Sequence, residues 1–164
     1  MLTDASGKMS PVSAVTTSPG EGLPTALAQI VEEFQGLTLP DRLQLLLELS
    51  EELPALPPRL EGRLELMERI DECQSPAFVE VELTSGVAQL HFSVPREAPT
   101  TRGFAAILSQ GLSGLSAREL LGVPDDVGWR LGLTQAVSPL RMRGLAGMLA
   151  RAKRQTRAAL AVTP

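Results

Sequence analysis

The stretch PAFVEVELTSGVAQLHFSVP, residues 76–95, constrains the fold more than any other part of the chain. It holds two runs in which apolar and polar residues alternate, and such alternation is typical of strands that bury one face. Ser85 and Gly86 separate the runs, and a two-residue connection of this kind is typical of a tight β-hairpin. Pairing Thr84 with Val87 predicts a register that separates apolar from polar side chains. The apolar face holds the pairs Leu83–Ala88, Val81–Leu90 and Val79–Phe92, and the polar face holds Glu82–Gln89 and Glu80–His91.

Helical patterns flank the hairpin on both sides. Residues 54–73, which lie between the early helices and the hairpin, are Pro-rich and then ambiguous, and they are interpreted as a loop or a short helix. Helices followed by a hairpin and further helices predict an α+β fold, with helices packed on one face of a small antiparallel sheet. The helical segments are predicted at residues 24–36, 39–54, 100–112, 116–124, 124–131 and 138–161.

The same patterns predict which side chains form the core. The chain has four Phe, one Trp and no Tyr, so the core is expected to be mainly aliphatic. In the second helix the predicted inward stripe is Leu43, Leu46, Leu47 and either Leu49 or Ser50. In the last helix it is Leu140, Leu145, Met148, Leu149 and Ala152.

The chain is predicted to hold one domain. Residues 1–22 are rich in Ser, Thr, Pro and Gly without a periodic apolar pattern, and they are predicted to be a disordered leader. Residues 23–162 are long enough for one compact domain with its own core.

Charges are divided unevenly along the chain. All 19 Asp and Glu residues lie in residues 1–126, whereas 7 of the 15 Lys and Arg residues lie in residues 127–164. A sequence pI near 5.1 argues against a nucleic-acid partner. The basic end is therefore expected to pair with the acidic remainder of the chain or with an acidic patch on another protein.

Sequence features also predict the compartment. The N-terminus lacks the charged start and apolar run of a secretory signal. The longest apolar tract, LQLLLEL, is too short to cross a bilayer, so no membrane association is expected. A single cysteine cannot form an intramolecular disulfide, which fits a reducing compartment. We therefore expect a cytoplasmic protein.

The sole cysteine, Cys73, lies between two carboxylates and a Gln-Ser-Pro turn. A free cysteine is commonly a small buried apolar residue, and that interpretation competes with a reactive thiol. Here Asp71, Glu72, Gln74 and Ser75 flank the cysteine, and burial would leave these polar neighbours without partners. We therefore expect Cys73 on a polar loop near the surface, where the thiol is accessible.

Accessibility alone does not activate this thiol. The thiolate is the nucleophile, and the preceding carboxylates disfavour it unless a base such as Arg102 or Arg141 lies close. A cysteine hydrolase also needs an imidazole in contact with the sulfur, and the only histidine, His91, is predicted to lie opposite Glu80. That class of enzyme is expected only if His91 contacts Cys73.

Other chemistry finds little support in the sequence. One Cys, one His and scattered carboxylates do not have the spacing of a zinc site. The glycines occur singly rather than in a phosphate-binding turn, so no cofactor is expected. Arg141 and Arg143 lie in the first turn of the last helix, where the helix dipole disfavours cations. They either form a solvated face or have an acidic partner, within the fold or on another protein.

Several of these segments together resemble one family. ECQSP at 72–76, FSVPREAPTTRGF at 92–104 and AVSPLRMRGLAGML at 136–149 follow IVEEFQGLTLPDRLQLLLELSEELP in order. The combination resembles the SufE family of sulfur-acceptor proteins for cysteine desulfurases. The resemblance covers roughly residues 24–157.

The resemblance implies a function in iron–sulfur cluster assembly. In this family a cysteine accepts persulfide sulfur from a pyridoxal-phosphate cysteine desulfurase and carries it to a cluster scaffold. By motif position Cys73 is the acceptor, Arg141 matches an arginine linked to desulfurase interaction, and Glu97 matches an acidic position after the second strand. The candidate supporting or partner-binding residues are Arg141, Glu97, Arg102, Gln74 and Arg143.

The resemblance also implies how the protein acts. It is expected to be a carrier that stimulates the desulfurase rather than an enzyme, with the pyridoxal phosphate held by that partner. A carrier shelters its sulfur when free and presents it when docked, so residues 71–76 are predicted to be mobile. The alternative is a regulatory binding module that docks through the basic last helix and carries no sulfur.

Overall fold

The computed structural model describes residues 18–162, which form helices packed against a three-stranded antiparallel sheet. This is the α+β architecture that the sequence predicts. The strands are β1 (Glu68–Arg69), β2 (Phe78–Thr84) and β3 (Val87–Ser93), adjacent in that order. The α-helices are α1 (Thr25–Gln35), α2 (Leu39–Ser50), α3 (Pro99–Leu112), α4 (Ala117–Leu121), α5 (Val127–Arg130) and α6 (Pro139–Val162), and a 3-10 helix (Leu64–Leu66) precedes β1.

The hairpin of β2 and β3 has the predicted register. Thr84 pairs with Val87, and the remaining pairs follow in the predicted order down to Val79 opposite Phe92. Ser85 and Gly86 both have positive φ, which a two-residue turn of the type that matches the strand twist requires.

Strand β1 is missing from the sequence prediction. It has only two residues, which pair with Val79 and Phe78 of β2 and are too few to show an alternating pattern. Beyond β1, the Gln155 side chain of α6 continues the bonding along the β2 edge. Its Oε1 accepts from the Val81 amide at 2.7 Å, and its Nε2 donates to the Val79 carbonyl at 3.3 Å.

The buried face of the hairpin packs on α3 and α6, which also pack on each other. The apolar core is mainly aliphatic, as predicted. Leu140 is 45% exposed, so its predicted inward position is wrong: it lies in the first turn of α6, where it lines a pocket beside Cys73. In α2, which packs mainly on α3, Leu43 and Leu47 are also exposed, contrary to the prediction. The predicted core positions of the last helix that are buried are Leu145, Met148, Leu149 and Ala152.

The predicted disordered leader, residues 1–22, falls mostly outside the described residues. Residues 18–22 are described, and they form turns that contact the rest of the fold. Arg130 Nη1 donates to the carbonyls of Pro19 and Glu21, at 3.3 and 2.6 Å. A distant arginine thus binds the backbone of the last residues of the predicted leader.

The basic C-terminal part of the chain pairs largely with its acidic remainder, as one of the two expected arrangements requires. In each of these ion pairs a basic side chain of α5 or α6 contacts a carboxylate that lies earlier in the chain. They are Arg130–Asp126, Arg151–Glu72, Lys153–Asp125 and Arg154–Glu68.

Among residues 18–162, no helix combines the length and the apolar character needed to cross a membrane.

Candidate functional site

The loop of residues 71–76 connects β1 to β2 and carries the sole cysteine. Backbone hydrogen bonds close its base, since the Ile70 amide donates to the Ala77 carbonyl at 2.8 Å. The Cys73 amide donates to the Ile70 carbonyl at 3.1 Å, which turns the cysteine back toward the fold. The loop is thus anchored at both ends by the sheet.

Cys73 is buried, with 8% of its surface exposed, so the expectation of an exposed thiol is wrong. The polar neighbours explain the difference: Glu72 binds Arg151 of α6 and Gln74 remains exposed, so neither is left without a partner when the thiol is buried. The sulfur packs against Gly144 of α6, where a Cβ atom would lie 3.0 Å from Sγ. A glycine at this position therefore provides the space for the thiol.

A pocket of about 240 Å³ lies beside the thiol. The loop, the start of α3 and the start of α6 form its walls, so three segments far apart in the sequence meet there. Its lining residues are Glu72, Cys73, Gln74, Ser75, Glu97, Ala98, Pro99, Thr101, Leu140, Arg141 and Gly144.

The pocket contains three of the predicted supporting residues. Gln74, Glu97 and Arg141 line it together with Cys73, and each of the three is exposed. Ser138 caps α6 by accepting from the Arg141 amide at 3.3 Å. The Arg141 guanidinium donates to the Thr100 hydroxyl at 3.2 Å rather than to a carboxylate of the described residues. Its charge is therefore available at the mouth of the pocket.

The other two predicted residues lie outside this pocket. Arg102 donates through Nη1 to the Val94 carbonyl at 2.7 Å and through Nε to the Ser50 carbonyl at 3.2 Å, so it joins α3 to the ends of β3 and α2. Arg143 is exposed on α6 and makes no hydrogen bond or ion pair within residues 18–162. Of the two arginines expected close to the thiol, Arg141 therefore lines the pocket and Arg102 does not.

Arg151 is the arginine whose charge reaches Cys73, and the sequence analysis missed it. Burial, and next the neighbouring Glu72 carboxylate, raise the pKa of Cys73 to about 11, while Arg151 acts in the opposite direction. Most of the thiol is therefore protonated at neutral pH. No local pattern around Cys73 indicated Arg151, because it meets Glu72 across 79 positions of the chain.

Arg151 also fixes the loop to α6. Its Nη1 donates to Glu72 Oε2 at 2.5 Å, and its Nη2 lies 3.7 Å from Asp71 Oδ2. Its Nε donates to the Arg69 carbonyl at 3.1 Å and lies 3.4 Å from Glu68 Oε2. One side chain, only 13% exposed, thus binds both β1 and the cysteine loop.

His91 lies in a different part of the surface from Cys73. It pairs with Glu80 across the hairpin, as predicted, and its Nε2 lies 3.4 Å from Glu82 Oε1. Burial, followed by the nearby Arg59 charge, lowers the pKa of His91. The histidine lines a pocket formed by the Pro-rich segment and α3, and this pocket does not include Cys73. The arrangement gives no support to a Cys–His catalytic pair.

Within the described residues, no three His, Cys, Asp or Glu side chains form a group that could hold a metal ion. The chemistry that the site offers is that of one sheltered thiol beside an exposed guanidinium and exposed carboxylates. Such a thiol is suited to exchange with a partner rather than to independent catalysis.

The chain is similar to known proteins over most of its length. The family model SufE, described as an Fe-S metabolism associated domain, matches residues 28–156. SufE-like proteins from two strains of Mycobacterium tuberculosis are 49% identical over 144 residues, which is 87% of this chain and 99% of theirs. SufE-like protein 1, chloroplastic/mitochondrial, of Arabidopsis thaliana is 30% identical over 145 residues, which is 88% of this chain and 38% of that protein.

A solved structure also matches the fold. The solution structure of a hypothetical protein from Thermus thermophilus aligns with a TM-score of 0.75 and 40% sequence identity. The alignment covers 85% of this chain and 98% of that one. The matched family region contains every segment that lines the cysteine pocket.

Proposed function

This chain belongs to the SufE family of Fe-S metabolism, and we propose that it is a sulfur carrier whose Cys73 accepts persulfide sulfur from a cysteine desulfurase. The carrier stimulates the desulfurase by removing its product and passes the sulfur to an iron–sulfur cluster scaffold. The pyridoxal phosphate belongs to the desulfurase, and the carrier has no cofactor of its own. We place this exchange in the reducing cytoplasm, where a single free thiol stays reduced.

The transfer step is a thiol–persulfide exchange. The Cys73 thiolate attacks the terminal sulfur of the desulfurase persulfide, so a bond forms between Cys73 Sγ and that sulfur. The bond between that sulfur and the desulfurase cysteine breaks, and the desulfurase thiolate leaves with the electron pair. The Cys73 proton is taken up by this thiolate or by solvent. The exchange is balanced without an external oxidant or reductant.

The observation that carries the proposal is the meeting of Cys73, Glu97 and Arg141 at one pocket. These are the three positions to which the family resemblance assigns roles, and they come from the β1–β2 loop, the turn before α3 and the first turn of α6. Arg141 and Glu97 are exposed at the pocket mouth, where a docked protein can contact both. We propose that they bind the desulfurase, with Gln74 in support.

Because Cys73 is buried, transfer requires residues 71–76 to move outward. The polar contacts that hold the docked loop are the hydrogen bond from the Cys73 amide to the Ile70 carbonyl and the ion pairs of Arg151 with Glu72 and Asp71. The hydrogen bond from the Ile70 amide to the Ala77 carbonyl lies at the base of the loop. The loop can therefore open while this bond and the sheet stay intact. The Arg151 pairs are partly exposed to solvent, and such pairs contribute little to stability, which supports the predicted mobility.

A second candidate is a regulatory module that binds a desulfurase or a scaffold without carrying sulfur. The exposed Arg143 near the start of α6 favours it, because this cation lies outside the cysteine pocket and is open to a docked protein. The two candidates differ in whether stimulation needs Cys73.

We expect Cys73→Ala to reduce desulfurase turnover to the rate of the desulfurase alone. The substituted side chain has no sulfur to attack the persulfide, so the sulfur stays on the desulfurase cysteine. The measurement is alanine or sulfide release from L-cysteine with increasing carrier. As a control, Cys73→Ala added in excess should compete with wild type, since its pocket mouth still docks. Equal stimulation by wild type and Cys73→Ala would favour the regulatory module instead.

A further inference from the structure

We propose that Glu72 changes its salt-bridge partner during sulfur transfer, leaving Arg151 for a cationic side chain that the desulfurase presents beside its persulfide. This inference rests on the proposed carrier function, and it specifies the chemistry of the surface that receives the loop.

In the free protein Glu72 is held by two features of α6. Its Oε2 accepts from Arg151 Nη1 at 2.5 Å. Its carboxylate also lies against Gly147, where a Cβ atom would be only 2.6 Å from Oε2. Because Glu72 directly precedes Cys73, a movement that carries the sulfur away from Gly144 also pulls this carboxylate away from α6.

The two partners are affected differently when the loop opens. Arg151 keeps its contacts with the Arg69 carbonyl and with Glu68, since both belong to β1 and stay with the sheet. Arg151 is, however, the only side chain within residues 18–162 that binds the Glu72 carboxylate. When the loop opens, Arg151 therefore keeps its partners in β1. The Glu72 carboxylate moves outward with the thiol and has no partner.

An unpaired carboxylate is costly at a docked interface. Moving an ionised group out of water without a partner is strongly unfavourable. The same carboxylate beside Cys73 disfavours the thiolate that must attack the persulfide. One Arg or Lys of the desulfurase beside the persulfide removes both effects. It pairs with the Glu72 carboxylate, and its charge lowers the pKa of the Cys73 thiol.

Two substitutions separate the role of Glu72 in the closed loop, where it binds Arg151, from its proposed role at the interface with the desulfurase. Glu72→Gln removes the charge in both states. Gly147→Ala keeps the charge but places a methyl group where the carboxylate docks, which displaces it from Arg151 and suits a helix interior. Glu61→Gln, at an exposed glutamate in the segment before β1, is the matched charge control.

In the isolated full chain, alkylation of Cys73 by iodoacetamide measures opening of the loop in Gly147→Ala, which keeps the Glu72 charge; in Glu72→Gln the rate also includes the lower thiol pKa that follows from losing that charge. We expect Glu72→Gln and Gly147→Ala each to raise the alkylation rate by about 5-fold, the effect of losing a partly exposed ion pair. The rate for Glu61→Gln should equal that of wild type. Unchanged rates in both Glu72→Gln and Gly147→Ala would overturn the claim that the pair of Glu72 with Arg151 holds the loop closed.

With a desulfurase, the two loop variants should diverge. The concentration of carrier that gives half-maximal turnover should rise by about 10-fold for Glu72→Gln, which lacks the charge that the partner pairs with. For Gly147→Ala it should stay the same or fall, because the loop opens more readily and the charge is kept. Added salt should raise the half-maximal concentration of wild type more than that of Glu72→Gln, because salt screens the charge pair that only wild type forms with the desulfurase.

Equal half-maximal concentrations for wild type and Glu72→Gln would overturn the exchange of partners while leaving the carrier function intact. A parallel rise in Gly147→Ala would also overturn it, since both effects would then follow from loop distortion. Failure of the carrier function itself has a different signature, namely stimulation that persists in Cys73→Ala.

Discussion

Gly144→Val is expected to raise the rate of Cys73 alkylation by about 100-fold at pH 8. The Cys73 sulfur packs against Gly144, and even the first side-chain carbon at this position would lie 3.0 Å from Sγ. The two further methyl groups of valine fill the space of the thiol, so the loop is held outward. Burial is the main cause of the raised thiol pKa, which returns from about 11 toward 9.0 once the sulfur is solvated. Two pKa units correspond to a change of about 100-fold in the thiolate fraction below both values.

The pH profile of alkylation checks this result. The thiolate reacts, so the rate rises with pH until the thiol is fully ionised. The wild-type rate should keep rising above pH 9.0, whereas the Gly144→Val rate should level off near it. Ala150→Val is the control, because Ala150 is an exposed residue of the same helix. Equal rates in wild type and Gly144→Val would contradict the assignment of Gly144 as the seat of the thiol.

Gly103→Ala is expected to lower the free energy of unfolding by about 3 kcal/mol, as overpacking between closely packed elements does. Gly103 lies in α3 where this helix crosses α2, and a Cβ atom there would be 2.5 Å from the Leu46 carbonyl oxygen. It would also be 2.6 Å from Leu46 Cδ1. Because a backbone oxygen cannot turn aside as a side chain can, the two helices have to separate.

Urea unfolding of the full chain measures this effect. Gly122→Ala is the matched control, since its Cβ atom would be 3.5 Å from the Arg118 carbonyl oxygen, an ordinary contact, and its backbone φ of −80° suits alanine. It should change the free energy of unfolding by less than about 1 kcal/mol. A similar small change for Gly103→Ala would show that the α2–α3 contact is looser than the structure indicates.

The elements that were predictable from the sequence are those fixed by local patterns. The hairpin register follows from alternation on both strands and from the Ser85-Gly86 turn, and every predicted pair is present. The predicted helical segment at 116–124 is local in the same sense, and the structure shows that Ser116 caps α4 in a reciprocal capping box with Glu119. Strand β1 was not predictable, because two residues carry no period and its place depends on pairing with β2.

The site was only partly predictable, because it depends on contacts between distant residues. Polar neighbours made a buried Cys73 unfavourable on local grounds, and what permits burial is Arg151, a residue 79 positions away from Glu72. The small residue at 144 is likewise explained only when the loop is seen against α6. The grouping of Glu97 and Arg141 around the thiol came from the resemblance to a family, not from spacing along the chain.

The measurement that tests the central claim most directly is the intact mass of the carrier after reaction with a cysteine desulfurase and L-cysteine. Because the chain has a single cysteine, an added sulfur that a thiol reductant removes is assigned to Cys73 without peptide mapping. The account predicts one added sulfur atom on wild type and none on Cys73→Ala. Stimulated turnover with no sulfur added to wild type, or sulfur added equally to Cys73→Ala, would contradict it.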